Sequence, residues 1–303
     1  MVSGATIGTV VGTLSAIQGQ VPYTFSITND PENKFDIVGN DLVTDANVDE
    51  ITDPSHDVTI LVTDDNANTF EKTFTITVTP AATYANDFSM NFNGVDEYIE
   101  TPFNFSGRTR FTLNTYLYRS STSHRIDISQ CNAANSNRVK ILRNSNGTAV
   151  VVIDGGVASY AENTTGWLMM TLVYDGTQIN ANRVRFYING VLATSVTYGN
   201  FPTSVATTTE KFNLGFDLGS GVYGEGNIDE TSVWDVVLTP SEITELYNSG
   251  TPLDLNTHTQ FANLLSWWRL GEQLAVTTMP DQVGSNDGTL INMDSTNRDT
   301  NLP

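Results

Sequence analysis

The stretch from Gly166 to Gly250 constrains the fold of this chain most, because a hairpin, several short strands and one capped helix follow one another within it. Val184, Phe186 and Ile188 alternate with Arg183, Arg185 and Tyr187, the period of a strand with one buried face. Asn189-Gly190 then supplies two positive-φ residues for a tight hairpin turn before Val191 to Val196. Further on, Thr239 is placed to cap a helix, with Pro240 at its first position and Glu242 reaching back. Ile243, Leu246 and Tyr247 share one face of that helix, and Asn248 to Gly250 end it. One short helix in a strand-rich chain is a specific pattern for an all-β fold.

The segments in order read GWLMMTLVYDG, RVRFYINGVLATSV, FNLGFD, GNIDETSVWD and LTPSEITELYNSG. This succession resembles the laminin G-like and pentraxin-like branch of the concanavalin A-like sandwiches. Phe92 to Ile99 is similar to that family's opening strand and Leu265 to Gly271 to its closing one, so the resemblance spans most of residues 86–295. It implies a jelly-roll β-sandwich.

Upstream, β-branched alternating runs separated by turn residues occupy Thr9 to Leu14, Tyr23 to Thr28, Phe35 to Val38, Val58 to Thr63 and Phe70 to Thr79. Strands at this spacing with no helical period predict a small antiparallel sandwich of immunoglobulin type. Their order resembles a cadherin-type repeat. Pro80 cannot donate to a ladder and small residues follow it, so the reading is a cadherin-like sandwich over 1–80, a linker over 81–85 and the jelly roll over 86–303. The polar tail from Asp294 to Pro303 is expected to be an end or a linker.

The balance of 14 lysines and arginines against 34 acidic residues gives a net charge of −20, which repels nucleic acid and anionic membranes in the absence of a basic patch. The single cysteine, Cys131, has no intramolecular partner for a disulfide. Residues 1–20 contain no lysine or arginine, and glycines interrupt their apolar residues, so neither a signal peptide nor a membrane span is expected there.

Both resemblances imply calcium as the one candidate cofactor, held by clustered carboxylates. In the first domain the candidates are Asp49, Glu50, Asp64 and Asp65, although Ala16-Ile17-Gln18 and Pro80-Ala81-Ala82 replace acidic elements of the cadherin pattern. In the second they are Asp96 or Glu97 with Asp229 or Glu230, weighed against carboxylates that accept backbone hydrogen bonds. The concanavalin A-like sandwiches include glycosidases with an E-x-D-x-x-E strand, but Asn227 and Ser232 stand where the two glutamates would be, so no enzyme is expected. Glycan binding needs only an exposed ring and a few fixed polar groups. Its candidates are Tyr118, Arg119, His124 and Arg125 on one loop and Asp217 with Tyr223 on another, each weighed against ordinary packing. Trp167, Trp234, Trp267 and Trp268 lie in strand-like runs and read as core.

The leading expectation is a non-enzymatic surface protein of a tailed-phage virion that touches glycans or a host cell surface, contacts other virion proteins and forms a homo-oligomer. The alternative is a piece of a secreted bacterial adhesin or polysaccharide-binding protein, extracellular or on the cell surface. A glycoside hydrolase is the third reading.

Overall fold

Threonine- and valine-rich strands whose side chains alternate between two faces can bury the apolar face only against a second sheet. The computed structural model describes residues 7–46, 54–78, 84–194, 197–272 and 277–303. The chain divides into two compact units, Met1–Tyr84 and Ala85–Pro303.

In the first unit, Val10–Thr13, Asp41–Thr44 and Phe35–Val38 form one antiparallel sheet, and Thr24–Asn29, Ser55–Thr63 and Thr69–Thr77 form the other. Phe35, Leu42, Val58 and Ile60 are its buried core, with Phe25, Ile27, Phe74 and Ile76 half-buried against them. The strand Asp41–Thr44 was not separable from its neighbour in the sequence. Gly39, at φ 65°, turns the chain between two strands of only four residues each.

In the second unit two large antiparallel sheets face each other. One runs, edge to edge, Thr197–Tyr198, Gly156–Ala161, Thr148–Ile153, Val139–Asn144, Ile126–Gln130, Phe212–Leu214, Tyr98–Thr101, Gly288–Ile291 and Thr278–Met279. The other runs Val191–Leu192, Val184–Ile188, Gly166–Asp175, Arg110–Arg119, Glu225–Trp234, Ser89–Asn93 and Arg298–Asp299, and Leu264–Trp268 pairs with the last residues of Glu225–Trp234. Between them lies one continuous core that includes Phe92, Ile99, Phe105, Leu113, Ile141, Phe186, Phe212 and Trp268. The expected hairpin forms at Asn189 and Gly190, with φ of 50° and 77°. The helix is Pro240–Tyr247, with both halves of the Thr239–Glu242 capping box made and Asn248 in the left-handed region.

The tail differs from expectation. Asp294 caps a short 3-10 turn, Arg298–Asp299 adds a strand beside Ser89–Asn93, and the Ser89 hydroxyl donates to the Asn301 carbonyl at 2.7 Å. A short polar segment carries no hydrophobic period, so only pairing with a distant strand reveals it as structure.

One end of the sandwich interior is closed by charge. Arg119 and Arg143 are fully buried and share the carboxylate of Glu162, through Arg119 Nη2 at 3.1 Å and Arg143 Nε at 3.1 Å and Nη2 at 3.2 Å. Their remaining donors reach carbonyls of Leu117, Asn144, Glu162, Thr164 and Gly166. Arg119 is therefore a structural residue: its guanidinium points between the sheets, out of reach of a surface glycan, which corrects its place among the glycan candidates. Burial pushes the Glu162 carboxyl up, but hydrogen bonds from Arg143 and Thr164 outweigh this and hold it below its ordinary value. A depressed native value means that its stabilisation is present above the unfolded-chain value of about 4.3 and is lost as pH falls below it. Glu162→Gln is expected to lower stability by about 3–5 kcal/mol at pH 6, because two guanidiniums lose their counter-charge, and to make the acid-induced loss shallower. Urea unfolding between pH 3 and 6 measures both.

Candidate functional site

The strand pleat places Asn91, Tyr118 and Asn227 side by side on the outer face of the eight-stranded sheet, where Asn227 is in register with both of the others. Gly226, at φ 137°, lets the ladder close there, since a Cβ would lie 2.1 Å from the Tyr118 carbonyl oxygen. The tail and the loop after Arg119 raise walls on either side. The result is a groove of about 360 Å³ lined by residues that include Asn91, Asn93, Tyr118, Ser120, His124, Glu225, Asn227, Asp299 and Asn301.

Its polar groups are held in place. Asn227 Nδ2 donates to Ser89 Oγ at 2.9 Å and to Asp299 Oδ2 at 3.0 Å, while its Oδ1 accepts from Asn91 Nδ2 at 3.1 Å. His124 Nε2 lies 3.3 Å from Glu225 Oε1, and its Nδ1 lies 3.4 Å from Ser120 Oγ. The half-exposed Tyr118 ring packs on Trp167 with centroids 5.5 Å apart, and Trp167 Nε1 donates to Asn301 Oδ1 at 3.3 Å. Trp234, Trp267 and Trp268 are buried as expected, whereas Trp167 is half-exposed beside the groove. Asn91, Glu225, Asp299 and Asn301 escaped the sequence reading, the last two because their segment looked unstructured.

The second loop pair plays a different part from the one expected of it. Asp217 is 3% exposed and accepts from Lys140 Nζ at 2.5 Å, Arg125 Nη2 at 2.6 Å, Ser220 Oγ at 2.7 Å and Cys131 Sγ at 3.1 Å. Arg125 Nε also donates to Asp127 Oδ2 at 2.6 Å. Asp217 and Arg125 are thus internal ties that fasten the hairpin of Phe216–Asp217 and Val222–Tyr223 to the sheet: the Asp217 carboxylate is taken up by four donors of its own domain, and Arg125 spends Nε and Nη2 on Asp127 and Asp217. Tyr223 remains half-exposed, stacked on Phe216 at 4.5 Å, with Tyr98 4.9 Å from Phe216.

The calcium candidates do not come together. Asp96 and Glu97 accept from Asn93 in a turn at the groove's rim. Asp229 and Glu230 are buried farther along the strand: Asp229 accepts from Asn86 Nδ2 at 2.9 Å and from the Glu230 amide, and Glu230 accepts from Trp267 Nε1 and Arg269 Nε. Burial, with Glu230 alongside, pushes the Asp229 carboxyl well up. A carboxyl whose charged form burial disfavours and one already paired with a guanidinium are poor donors for a cation that needs six to eight oxygens. In the first domain both Asp64 oxygens accept N–H donors of Gln20, Asn66 and Asn68, which lower its pKa, and Asp65 is exposed on the same turn. Asp49, Glu50 and most of the expected linker lie outside the described residues. Among the described residues no three His, Cys, Asp or Glu side chains are grouped to hold a metal.

A profile of the concanavalin A-like lectin/glucanases superfamily, of the Laminin_G_3 type, matches residues 93–244. A solved protein of Bacteroides ovatus, provisionally assigned as carbohydrate binding, aligns over 92% of this chain and 89% of its own at 15% identity, with a TM-score of 0.50. The CBM40 of the Ruminococcus gnavus IT-sialidase, bound to α2,3-sialyllactose, aligns over 52% of this chain and 97% of its own at 13% identity, with a TM-score of 0.38. The first likeness speaks to the fold alone, and the second is too distant to argue from. No curated protein matches this chain.

Asp127 yields a pH-dependent expectation. It is fully buried, and desolvation outweighs Arg125 and Lys140 to push it up to about 6. Its native value lies above the unfolded value of about 3.9, so folding takes up a proton between about pH 4 and 6 and stability falls as pH rises through that window. Asp127→Asn is expected to flatten the dependence of Tm on pH between 4 and 7, and differential scanning calorimetry across that range reads the slope.

Proposed function

Because the chain belongs to the concanavalin A-like lectin/glucanases superfamily, we propose that its second domain is a non-catalytic module that binds neutral, hydroxyl-rich glycans in the Tyr118 groove. The observation that carries this reading is a half-exposed Tyr118 ring, braced by Trp167, in one groove with the exposed Asn91 amide, which the buried Asn227 holds in place. An aromatic face stacks on the C–H face of a pyranose while amides and carboxylates exchange hydrogen bonds with its hydroxyls. Glu225 and Asp299 make the groove acidic in a chain of net charge −20, which disfavours sialylated or sulfated sugars. The absence of catalysis is supported at the strand where related glycosidases hold their two glutamates. Asn227 holds the groove floor there, and Ser232 is buried with Trp234 Nε1 donating to its Oγ.

The setting we propose is the surface of a tailed-phage virion. The first domain, which resembles a cadherin-type repeat, would serve there as spacer or anchor, and the groove would attach to host glycans. A bacterial adhesin would use the same groove. Mass spectrometry of purified particles separates these settings, since a protein that never copurifies with virions has no place on them.

Titration against a panel of neutral and anionic oligosaccharides is expected to show binding to neutral members only, with no sugar released. Tyr118→Ala is expected to weaken that binding about tenfold or more, equivalent to about 1.4 kcal/mol, while still unfolding in one cooperative thermal transition. Unchanged affinity in that variant would remove the groove from consideration.

A further inference from the structure

The polar groups that line the Tyr118 groove have unequal hydrogen-bonding capacity left to give. Asn227 spends both N–H donors on Ser89 and Asp299 and its oxygen on Asn91. Asn93 donates to Asp96 and accepts from the amides of Val95 and Asp96, and Asn301 Oδ1 accepts from Trp167. What remains open is chiefly acceptor. Glu225 is exposed and meets His124 through Oε1, which leaves Oε2 without a partner among the described residues. Asp299 accepts one N–H at each oxygen, from Asn301 and Asn227, and a carboxylate oxygen has room for a second. The exposed Asn91 amide oxygen has no partner among the described residues either. No lysine or arginine among the described residues lines the groove. The two nearest in sequence turn elsewhere: Arg119 is buried against Glu162, and the Arg298 guanidinium lies over the Phe88 ring at 3.8 Å.

We infer that the sugar unit seated on Tyr118 carries a free, protonated amino group, so that the preferred ligand is a de-N-acetylated amino sugar; this rests on the reading of the groove as a glycan site and adds the class of sugar to it. A ligand placed among acceptors must bring donors, and an ammonium brings three with no acceptor of its own. A hydroxyl brings one, and an acetamide brings one together with a carbonyl oxygen that faces the carboxylates unpaired. Bonds from an ammonium to a carboxylate are charge-assisted and stronger than those between neutral groups, and the face of the Tyr118 ring attracts the same cation. The register brings these parts within reach of one ring. Asn227 stands opposite Tyr118 and contacts Asp299, and Glu225 lies two residues before Asn227 on the same strand, diagonal to Tyr118. Diagonal Cβ atoms lie about 7–8 Å apart, a gap that long side chains span. The net charge of −20 attracts any cation at long range, but at about 0.15 M salt that field is screened beyond about 8 Å. Selectivity at that salt therefore comes from groups in the groove.

Isothermal titration of the full chain at pH 6 and about 0.15 M salt, with three β1,4-linked tetrasaccharides that differ only at C2, tests this. The glucosamine tetramer is expected to bind about tenfold tighter than the glucose tetramer, and the N-acetylglucosamine tetramer no tighter than the glucose one. Glu225→Gln is expected to reduce the tenfold ratio to about threefold or less. Glu71→Gln, which removes the same charge from an exposed position in the first domain, is expected to keep the ratio. Equal affinity for the three tetramers, with Tyr118→Ala weakening each, would overturn the amine preference and leave the groove standing as a glycan site. Binding that Tyr118→Ala does not weaken would instead sink the groove itself. An amine preference that survives Glu225→Gln and Asp299→Asn together would also overturn the inference, since it would then come from the overall charge of the chain, and so would the failure of all three tetramers to bind.

Discussion

Much of the second domain depends on one irregularity in the strand Glu225–Trp234. Between Asp229 and Ser232 its register against Arg110–Arg119 shifts, and Glu230 takes a φ of 46°. In a regular strand, residues an odd number apart point to opposite faces. Ile228 and Val233 are five apart, yet both lie in the core between the sheets. The bulge makes this possible by inserting one residue and inverting the alternation. It lets the same strand offer Asn227 to the groove at one end and Trp234 to a second apolar layer at the other, where the indole packs 4.6 Å from His258. The left-handed backbone of Glu230 is held by the hydrogen bonds of its carboxylate to Trp267 and Arg269.

The charged residues of the interior follow a common logic. Glu162 serves two arginines and Asp217 serves an arginine and a lysine, and in each case backbone carbonyls or hydroxyls take up remaining hydrogen-bonding capacity. Such pairs fix geometry more than they add stability, because desolvation offsets much of the Coulomb attraction. Here they anchor loop ends: Arg119 and Arg125 bracket the segment that carries His124, and Asp217 ties down the hairpin that carries Tyr223. Loops with exposed side chains are thus held from beneath by buried ion pairs.

The first domain shows the opposite balance. Four of its described strands have only four or six residues, its buried core cluster among the described residues is Phe35, Leu42, Val58 and Ile60, and Ile17, Val21, Phe70 and Val38 are exposed. Small domains bury a smaller fraction of their surface, so uncovered apolar edges matter more to them. The regular Phe70, Lys72, Phe74, Ile76 face was legible as a strand, but its position at the edge of a sheet was not, because edge and centre are properties of pairing.

Period, turn chemistry and capping are local, and they sufficed to establish the all-β class, the Asn189-Gly190 hairpin, the Thr239 cap and the likeness to the concanavalin A-like sandwiches. Tyr118 and His124 were also legible, as an aromatic and a polar residue on a loop-bearing strand end. Burial of charge was not legible: Arg119 and Asp217 look like surface loop residues until strands far apart in sequence close around them. The groove too is a tertiary product, since Asn91, Tyr118, Trp167, Asn227 and Asn301 come from five distant segments. The amino-acid order alone determined which segments become strands and where they turn. Long-range pairing and the bulge decided which face each residue took, because strand register, unlike strand propensity, is set by contacts between segments rather than within them.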